Sequence, residues 1–194
     1  MPDPKTLSRL ATPVLFLDFD GVLHQADEPT IGGNGEFIPN ERLFCWREHL
    51  EALLQAYPAV QIVISSDWRK YHTEEDLAAF LGNDLGPRLL GIMPIVEKGS
   101  RAEAVHAEAA RLGLRHWLAL DDHQSFHEAR QRGDDRFLAC HPEQGLDCSS
   151  LRHETASKLR WLSWLAKHNS VSVLPVQDFE FIQEDQVPSF NLVA

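Results

Sequence analysis

The stretch that decides the fold is Val14-Leu15-Phe16-Leu17-Asp18-Phe19-Asp20-Gly21-Val22-Leu23. Four apolar residues lead directly into an acid, a spacer, a second acid and a glycine. An apolar run of this length is typical of a strand buried on both faces, as in parallel α/β sheets, and predicts a strand over residues 14–18. Asp18 and Asp20 would then lie at the carboxyl edge of the sheet, where open α/β folds keep their sites. Gly21 lets the chain turn away behind them.

Composition and charge narrow the class of protein. With 194 residues, 43% hydrophobic and 24% charged, the chain fits one globular domain with modest additions. The net charge of −11 argues against broad, non-specific nucleic-acid binding, which depends on Lys and Arg contacts to phosphates. The amino-terminal residues lack the apolar core of a signal peptide, and no run is long enough for a membrane span. The odd number of cysteines, without zinc spacing, favours a cytoplasmic location.

Strand and helix patterns alternate along the rest of the chain. Further strands are predicted within residues 60–66, 89–96, 117–120 and 136–140, and helices over residues 40–56, 73–81, 100–112, 125–133 and 151–168. This alternation predicts right-handed crossovers and a mainly parallel sheet covered by helices, a three-layer Rossmann-like α/β fold. We expect residues 1–168 to form the domain, with a loop at 24–40 as a minimal cap, and 169–194 to form an extension or edge strands. Trp161 and Trp164 are expected to pack the last helix onto the body.

Polar side chains follow four of the predicted strands. They are Asp18 and Asp20, Ser65 and Ser66, Lys98 and Arg101, and Asp121 and Asp122. The carboxyl ends of parallel strands meet at one edge of a sheet, so these groups are expected to converge. Acids, a hydroxyl and a cation together suit phosphoryl transfer through an aspartyl-phosphate, with Mg²⁺ held by carboxylates. There is no GxxxxGK loop, so a Walker-type ATPase is not supported.

These same residues carry a resemblance to a known family. Asp18-Phe19-Asp20-Gly21-Val22 resembles the first motif of the haloacid dehalogenase-like (HAD) phosphatases, and Asp121-Asp122 resembles the fourth. Ser65 or Ser66 is similar to the second motif, and Lys98 or Arg101 to the third. Asp20-Gly21-Val22-Leu23-His24, Ser65-Ser66-Asp67-Trp68-Arg69, Leu120-Asp121-Asp122 and Gly145-Leu146 further resemble the HAD domains linked to bacterial and phage RNA-repair proteins.

The resemblance implies a role for each matching residue. Asp18 would be the nucleophile, and Asp20 would protonate the leaving group and then deprotonate the attacking water. Mg²⁺ would be held by Asp18, the backbone carbonyl of Asp20 and Asp121, with Asp122 helping directly or through water. Ser65 and Lys98 would complete the catalytic set. Ser66 and Arg101, the alternatives for these two positions, would otherwise contact substrate.

Two further residues have both a functional and a plain interpretation. His24 follows the first motif and would contact substrate at the mouth of the site, or it is a polar loop residue. Arg69 follows the second motif and would bind a substrate phosphate or base, or it pairs with Asp67.

Three hypotheses follow for function. The chain is a Mg²⁺-dependent phosphatase of a phosphorylated small molecule or macromolecule, a non-catalytic protein that binds a phosphorylated partner or serves as an interaction module, or a phosphatase of nucleic-acid ends. The last requires a narrow basic groove, for which Arg69, Arg88 and Arg101 are candidates. Residues 24–40 are too few for a separate cap domain with its own core, which favours a macromolecular substrate able to complete the enclosure.

Overall fold

A computed structural model describes residues 12–28, 37–38, 40–96 and 99–169. The described residues form five strands and five α-helices, joined in places by short 3₁₀ turns. The strands are β1 (Val14–Leu17), β2 (Gln61–Ile64), β3 (Leu89–Ile92), β4 (Trp117–Asp121) and β5 (Phe137–Ala139). The helices are α1 (Arg47–Gln55), α2 (Glu74–Leu85), α3 (Arg101–Arg111), α4 (Gln124–Gln131) and α5 (Ser149–Asn169).

The five strands form one parallel sheet in the order β3-β2-β1-β4-β5. The chain builds β2 and β3 on one side of β1 and then returns to place β4 on its other side. The strand order therefore reverses between β1 and β4, which is where open α/β folds form their binding crevice. The predicted Rossmann-like α/β architecture is confirmed.

Helices cover both faces of the sheet, so the core has two halves. Leu15 and Leu17 of β1 point to one face and pack with α1, α2 and α5. Val14 and Phe16 point to the other and pack with α3 and α4. All four residues are fully buried, as the unbroken apolar run predicts.

The start of one helix and the packing of two tryptophans differ from the sequence-based expectation. Helix α1 begins at Arg47 and not at residue 40, because Phe44 has a φ of 60°, a left-handed conformation that an α-helix cannot contain. Strand β3 lies within the predicted range and ends at Ile92, before Pro94, which cannot donate to a ladder. Among the described residues, Trp161 and Trp164 are not part of the core as expected: they are 58% and 42% exposed and stack on each other.

Several predictions fall on residues outside the described ranges. They include Lys98, most of the predicted cap loop and the possible edge strands after residue 169, and they stay predictions. Within the ranges that are described, no helix is long and apolar enough to cross a membrane.

Candidate active site

Three aspartates form the centre of the site at the carboxyl edge of the sheet. Asp18 directly follows β1, Asp121 ends β4, and Asp122 comes next in the chain. Each offers a carboxylate oxygen within 4.8 Å of the other two. Asp18 is 2% exposed and Asp121 is fully buried. The strand register explains this grouping, since Leu17 pairs with Leu120 and the acids follow at the same level.

Burial and mutual repulsion make these carboxylates resist ionisation. Burial raises the pKa of Asp18, although Arg101 and the Phe19 backbone N–H partly offset the increase. Burial, reinforced by the charge of Asp18, raises the pKa of Asp121 well above its ordinary value. The same two causes raise the pKa of Asp122 to about 6. A positive charge placed among the three would therefore stabilise the ionised site.

The close approach of the Asp122 side chain to the turn after β1 requires a glycine at position 21. Its φ is 66°, and a Cβ built on it would lie 2.6 Å from Cγ of Asp122. The first acidic motif and the last are therefore in direct contact, and any side chain at position 21 would displace Asp122.

Arg101 is the cation that the structure brings into the acid cluster. From the first turn of α3, its Nη1 donates to Oδ2 of Asp18 at 2.6 Å and to Oδ2 of Asp121 at 3.2 Å. Its Nη2 lies 3.2 Å from Oδ2 of Asp67. Burial alone would lower the pKa of Arg101, but the three acids outweigh it and raise the pKa above its ordinary value. Because Lys98 lies outside the described residues, the choice between it and Arg101 for catalysis stays open.

Both predicted serines lie at this edge of the sheet and are buried. The Ser66 side chain hydrogen-bonds Asp18, which lowers the pKa of that acid, and also accepts from the Trp68 backbone N–H at 3.4 Å. The Ser65 hydroxyl has no hydrogen-bond partner among the described residues. The structure places both within the site, and which of them contacts substrate stays a prediction.

Arg69 is directed inward, onto the loop that carries the serines. Its Nη1 donates to the carbonyls of Ser65 and Ser66, the latter at 2.6 Å, and to Asp67 Oδ1 at 3.2 Å. Its side chain is 8% exposed. These contacts brace the loop. The predicted contact between Arg69 and substrate is untested. In this geometry Nη1 already donates to the protein's own oxygens.

Asp20 lies beside the acid cluster but is not part of it. Its carboxylate accepts from the Trp68 indole Nε1–H, at 3.1 Å to Oδ1 and 3.0 Å to Oδ2. His24 Nε2 lies 3.0 Å from Oδ1. His24 is fully buried, so it lies behind the acid and not at the mouth where a substrate contact was expected. That expected contact stays untested, and the geometry favours a role through Asp20.

Two contacts of the site were not anticipated from the sequence. The partnership of Trp68 with Asp20 joins residues 48 positions apart, and nothing in the local pattern indicates it. The link from Asp67 to Arg101 was equally missed, although an acid next to the second motif was a usable signal. The proposed basic groove loses one member, because Arg88 donates to the Tyr57 carbonyl at 2.9 Å and precedes β3, at the opposite edge of the sheet.

A parallel sheet in this order, with an Asp-x-Asp-Gly turn after β1 and paired acids after β4, defines a HAD-like domain. The family model described as "HAD domain in Swiss Army Knife RNA repair proteins" matches residues 14–151. The chain belongs to this family. No curated protein and no solved structure matches the chain.

The acid cluster fits the Mg²⁺ that HAD domains generally use. Three carboxylates converge, two of them buried, and within the described residues Arg101 alone directly pairs with Asp18 and Asp121. One guanidinium against three carboxylates leaves negative charge that a hard divalent cation would neutralise. Asp18, Asp121 and Asp122 are the side chains that would hold it. The Asp20 carboxylate lies outside this group, which agrees with a contribution through its backbone carbonyl only.

The raised carboxyl pKa values predict an unusual dependence of stability on pH. A carboxyl whose pKa is raised on folding binds its proton more tightly when folded, so ionisation costs stability as pH rises. For Asp122 this loss of stability should occur as the pH rises from 3.8, the ordinary pKa of the group, to about 6, its pKa in the folded protein. With chelator present, the free energy of unfolding of Asp122→Asn should increasingly exceed that of the wild type as the pH rises through this window. Denaturant unfolding at several pH values would measure it, with the exposed Asp135→Asn as control; a constant difference would contradict it.

Proposed function

We propose that the chain is a Mg²⁺-dependent phosphatase that acts through an aspartyl-phosphate on Asp18. The observation that carries the proposal is the cluster of Asp18, Asp121 and Asp122 beside a separate acid, Asp20. A site that only bound phosphate would gain nothing from four acids, which repel it. Two acids in different surroundings suit two different tasks, nucleophile and acid–base.

The chain's own residues supply the steps of this mechanism. The Asp18 carboxylate attacks phosphorus, the bond from phosphorus to the leaving oxygen breaks, and protonated Asp20 gives that oxygen its proton. Asp20, now a carboxylate, then takes a proton from water as the water oxygen bonds to phosphorus and Asp18 is released. Bound Mg²⁺ would supply charge neutralisation for the phosphoryl oxygens. Arg101 and the buried serines are the candidates to hold those oxygens.

The alternative is a non-catalytic phosphate-binding protein, and one contact favours it. Arg101 pairs with Oδ2 of Asp18 at 2.6 Å, and Oδ1 accepts from the Phe19 N–H at 2.8 Å, so both oxygens of the nucleophile are engaged. For catalysis Arg101 must transfer from Asp18 to the phosphoryl group. Acid-quench trapping of labelled phosphate on the protein separates the two functions, because a binding protein forms no covalent adduct.

We further propose that the substrate is the phosphorylated end of a nucleic acid. Two observations support this. The family is described by its occurrence in RNA-repair proteins. The chain also passes from β3 to α3 in the short segment between Ile92 and Arg101, which leaves no room there for a cap domain. A polymer end could supply the enclosure that a cap gives in other enzymes.

This substrate proposal predicts a preference for polymers. An oligonucleotide with a terminal phosphate should give a kcat/KM about tenfold or more above that of the matching mononucleotide, since one added contact of about 1.4 kcal/mol suffices. The comparison should include 3′- and 5′-phosphorylated DNA and RNA, and a phosphopeptide with its phosphoamino acid. Equal values, or a preference for the small compounds, would contradict a macromolecular substrate; a preference only for the phosphopeptide would replace nucleic acid with protein.

A further inference from the structure

We infer that Trp68 and His24 are positioning residues that fix the Asp20 carboxylate and leave its Oδ2 to carry the catalytic proton. The inference rests on the proposed phosphatase mechanism, in which Asp20 is the acid–base. It assigns a task to two residues that the mechanism itself does not use.

The contacts on the carboxylate are unequal. Oδ1 faces both the Trp68 indole N–H, at 3.1 Å, and His24 Nε2, at 3.0 Å, whereas Oδ2 faces only the indole N–H, at 3.0 Å. A carboxylate oxygen offers about two lone-pair positions. The single indole N–H is shared between the two oxygens, and His24 Nε2 adds a contact to Oδ1 alone. Oδ1 is therefore the more heavily engaged oxygen, and Oδ2 keeps a lone-pair position for a proton. The Asp20 side chain is 33% exposed, whereas both of its partners are buried.

Both partners are held rigidly in the interior. Trp68 is 5% exposed and His24 is fully buried. The indole makes edge contacts with Phe19, Phe44 and Phe80, with ring centroids 5.7, 5.2 and 5.2 Å away. An indole enclosed in this way cannot rotate its N–H away from Asp20 without disturbing the core.

The backbone around the indole is also strained in support of this arrangement. Phe44 has a φ of 60° and, among the described non-glycine residues, is the one with positive φ. Its ring lies against both His24, at 5.1 Å, and Trp68. A left-handed conformation at an aromatic residue is unfavourable, and such strain clusters at functional sites. In this conformation the Phe44 ring packs against both positioning residues.

Fixing Asp20 matters because the same group must act twice. Oδ2 gives its proton to the leaving oxygen in the first step and accepts one from water in the second. A carboxylate free to rotate would lose the alignment on which both transfers depend. We call the contacts of Trp68 and His24 with the Asp20 carboxylate the clamp. Its loss should slow phosphoenzyme formation most with esters that have a poor leaving group, because these depend most on proton transfer.

The test compares Trp68→Phe, which removes the N–H and keeps an aromatic ring, with Trp161→Phe on exposed α5. We expect Trp68→Phe to slow phosphoenzyme formation from an alkyl phosphate about tenfold or more, with less than about threefold change for dinitrophenyl phosphate, whose leaving group needs little protonation. Trp161→Phe should change neither. An equal loss with both esters, or no loss with the alkyl ester, would overturn the inference.

A second measurement does not depend on activity. The chain has five tryptophans, and the Trp68 indole N–H signal in a ¹⁵N–¹H spectrum is identified by its loss in Trp68→Phe. Asp20→Ala should shift this signal upfield and speed its exchange with solvent, while Asp147→Ala should not. An unmoved signal would overturn the clamp even in an active phosphatase. A shifted signal in an inactive protein would retain the clamp and refute the proposed function instead.

Discussion

Asp18→Asn is expected to abolish phosphoenzyme formation and to lower kcat on the order of 10⁴-fold or more, as loss of a nucleophile does elsewhere. The amide cannot attack phosphorus. The fold should survive, because the substitution removes one of three mutually repelling acids and leaves Arg101 paired with Asp121 and Asp67. Labelled phosphate trapped by acid quench, followed by peptide mapping, measures the adduct directly.

Asp20→Asn is the informative comparison for this result. It should still form phosphoenzyme from dinitrophenyl phosphate but should release it slowly, because no base activates the water. Asp27→Asn, an exposed acid on the following loop, serves as the control and should retain full activity. Label found on any residue other than Asp18 would refute the nucleophile assignment.

Removal of divalent metal is expected to reduce activity to background, and added Mg²⁺ should restore it. The reason is the buried group of carboxylates, which one guanidinium cannot neutralise. Mg²⁺ should also raise the Tm of the wild type, since a ligand that binds only the folded state stabilises it. Both effects can be followed by titrating Mg²⁺ into protein stripped with chelator.

Asp121→Asn is the control for metal removal. It takes away one fully buried ligand and lowers the charge of the cluster, so its Tm should respond much less to Mg²⁺. Full activity of the wild type after exhaustive chelation would contradict a metal-dependent mechanism. An unchanged response to Mg²⁺ in Asp121→Asn would place the metal elsewhere.

The fold was predictable because it depends on strong, local signals. The run from Val14 to Leu17 is fully buried on both sides, and only a central parallel strand explains such a run. The acids after β1 and β4 were predictable for the same reason, since parallel topology brings strand ends together. Helix α1 was misplaced because its first residues have apolar spacing, while the left-handed Phe44 depends on tertiary packing.

The contacts within the site were less accessible to sequence reasoning. A guanidinium can bind substrate or brace a loop, and only the fold shows that Arg69 contacts the Ser65 and Ser66 carbonyls. Trp161 and Trp164 were expected to pack against the body, but they stack on each other. The helical spacing of aromatic residues indicates that they share a face, and it does not tell whether anything covers that face. Long-range partners such as Trp68 and Asp20 leave no periodic signal at all.

The ion pairs of Arg101 also have a consequence for the order in which ligands bind. This side chain is an internal counter-ion, held by Asp18, Asp121 and Asp67. A divalent cation bound by Asp18 and Asp121 would compete for the same carboxylates, and the guanidinium would then be available to a phosphoryl group. Metal and phosphate analogue should therefore bind with positive coupling, each raising the affinity for the other by the same factor. The proposed phosphatase would thereby discriminate against phosphate alone, and free phosphate would inhibit it weakly until metal is bound.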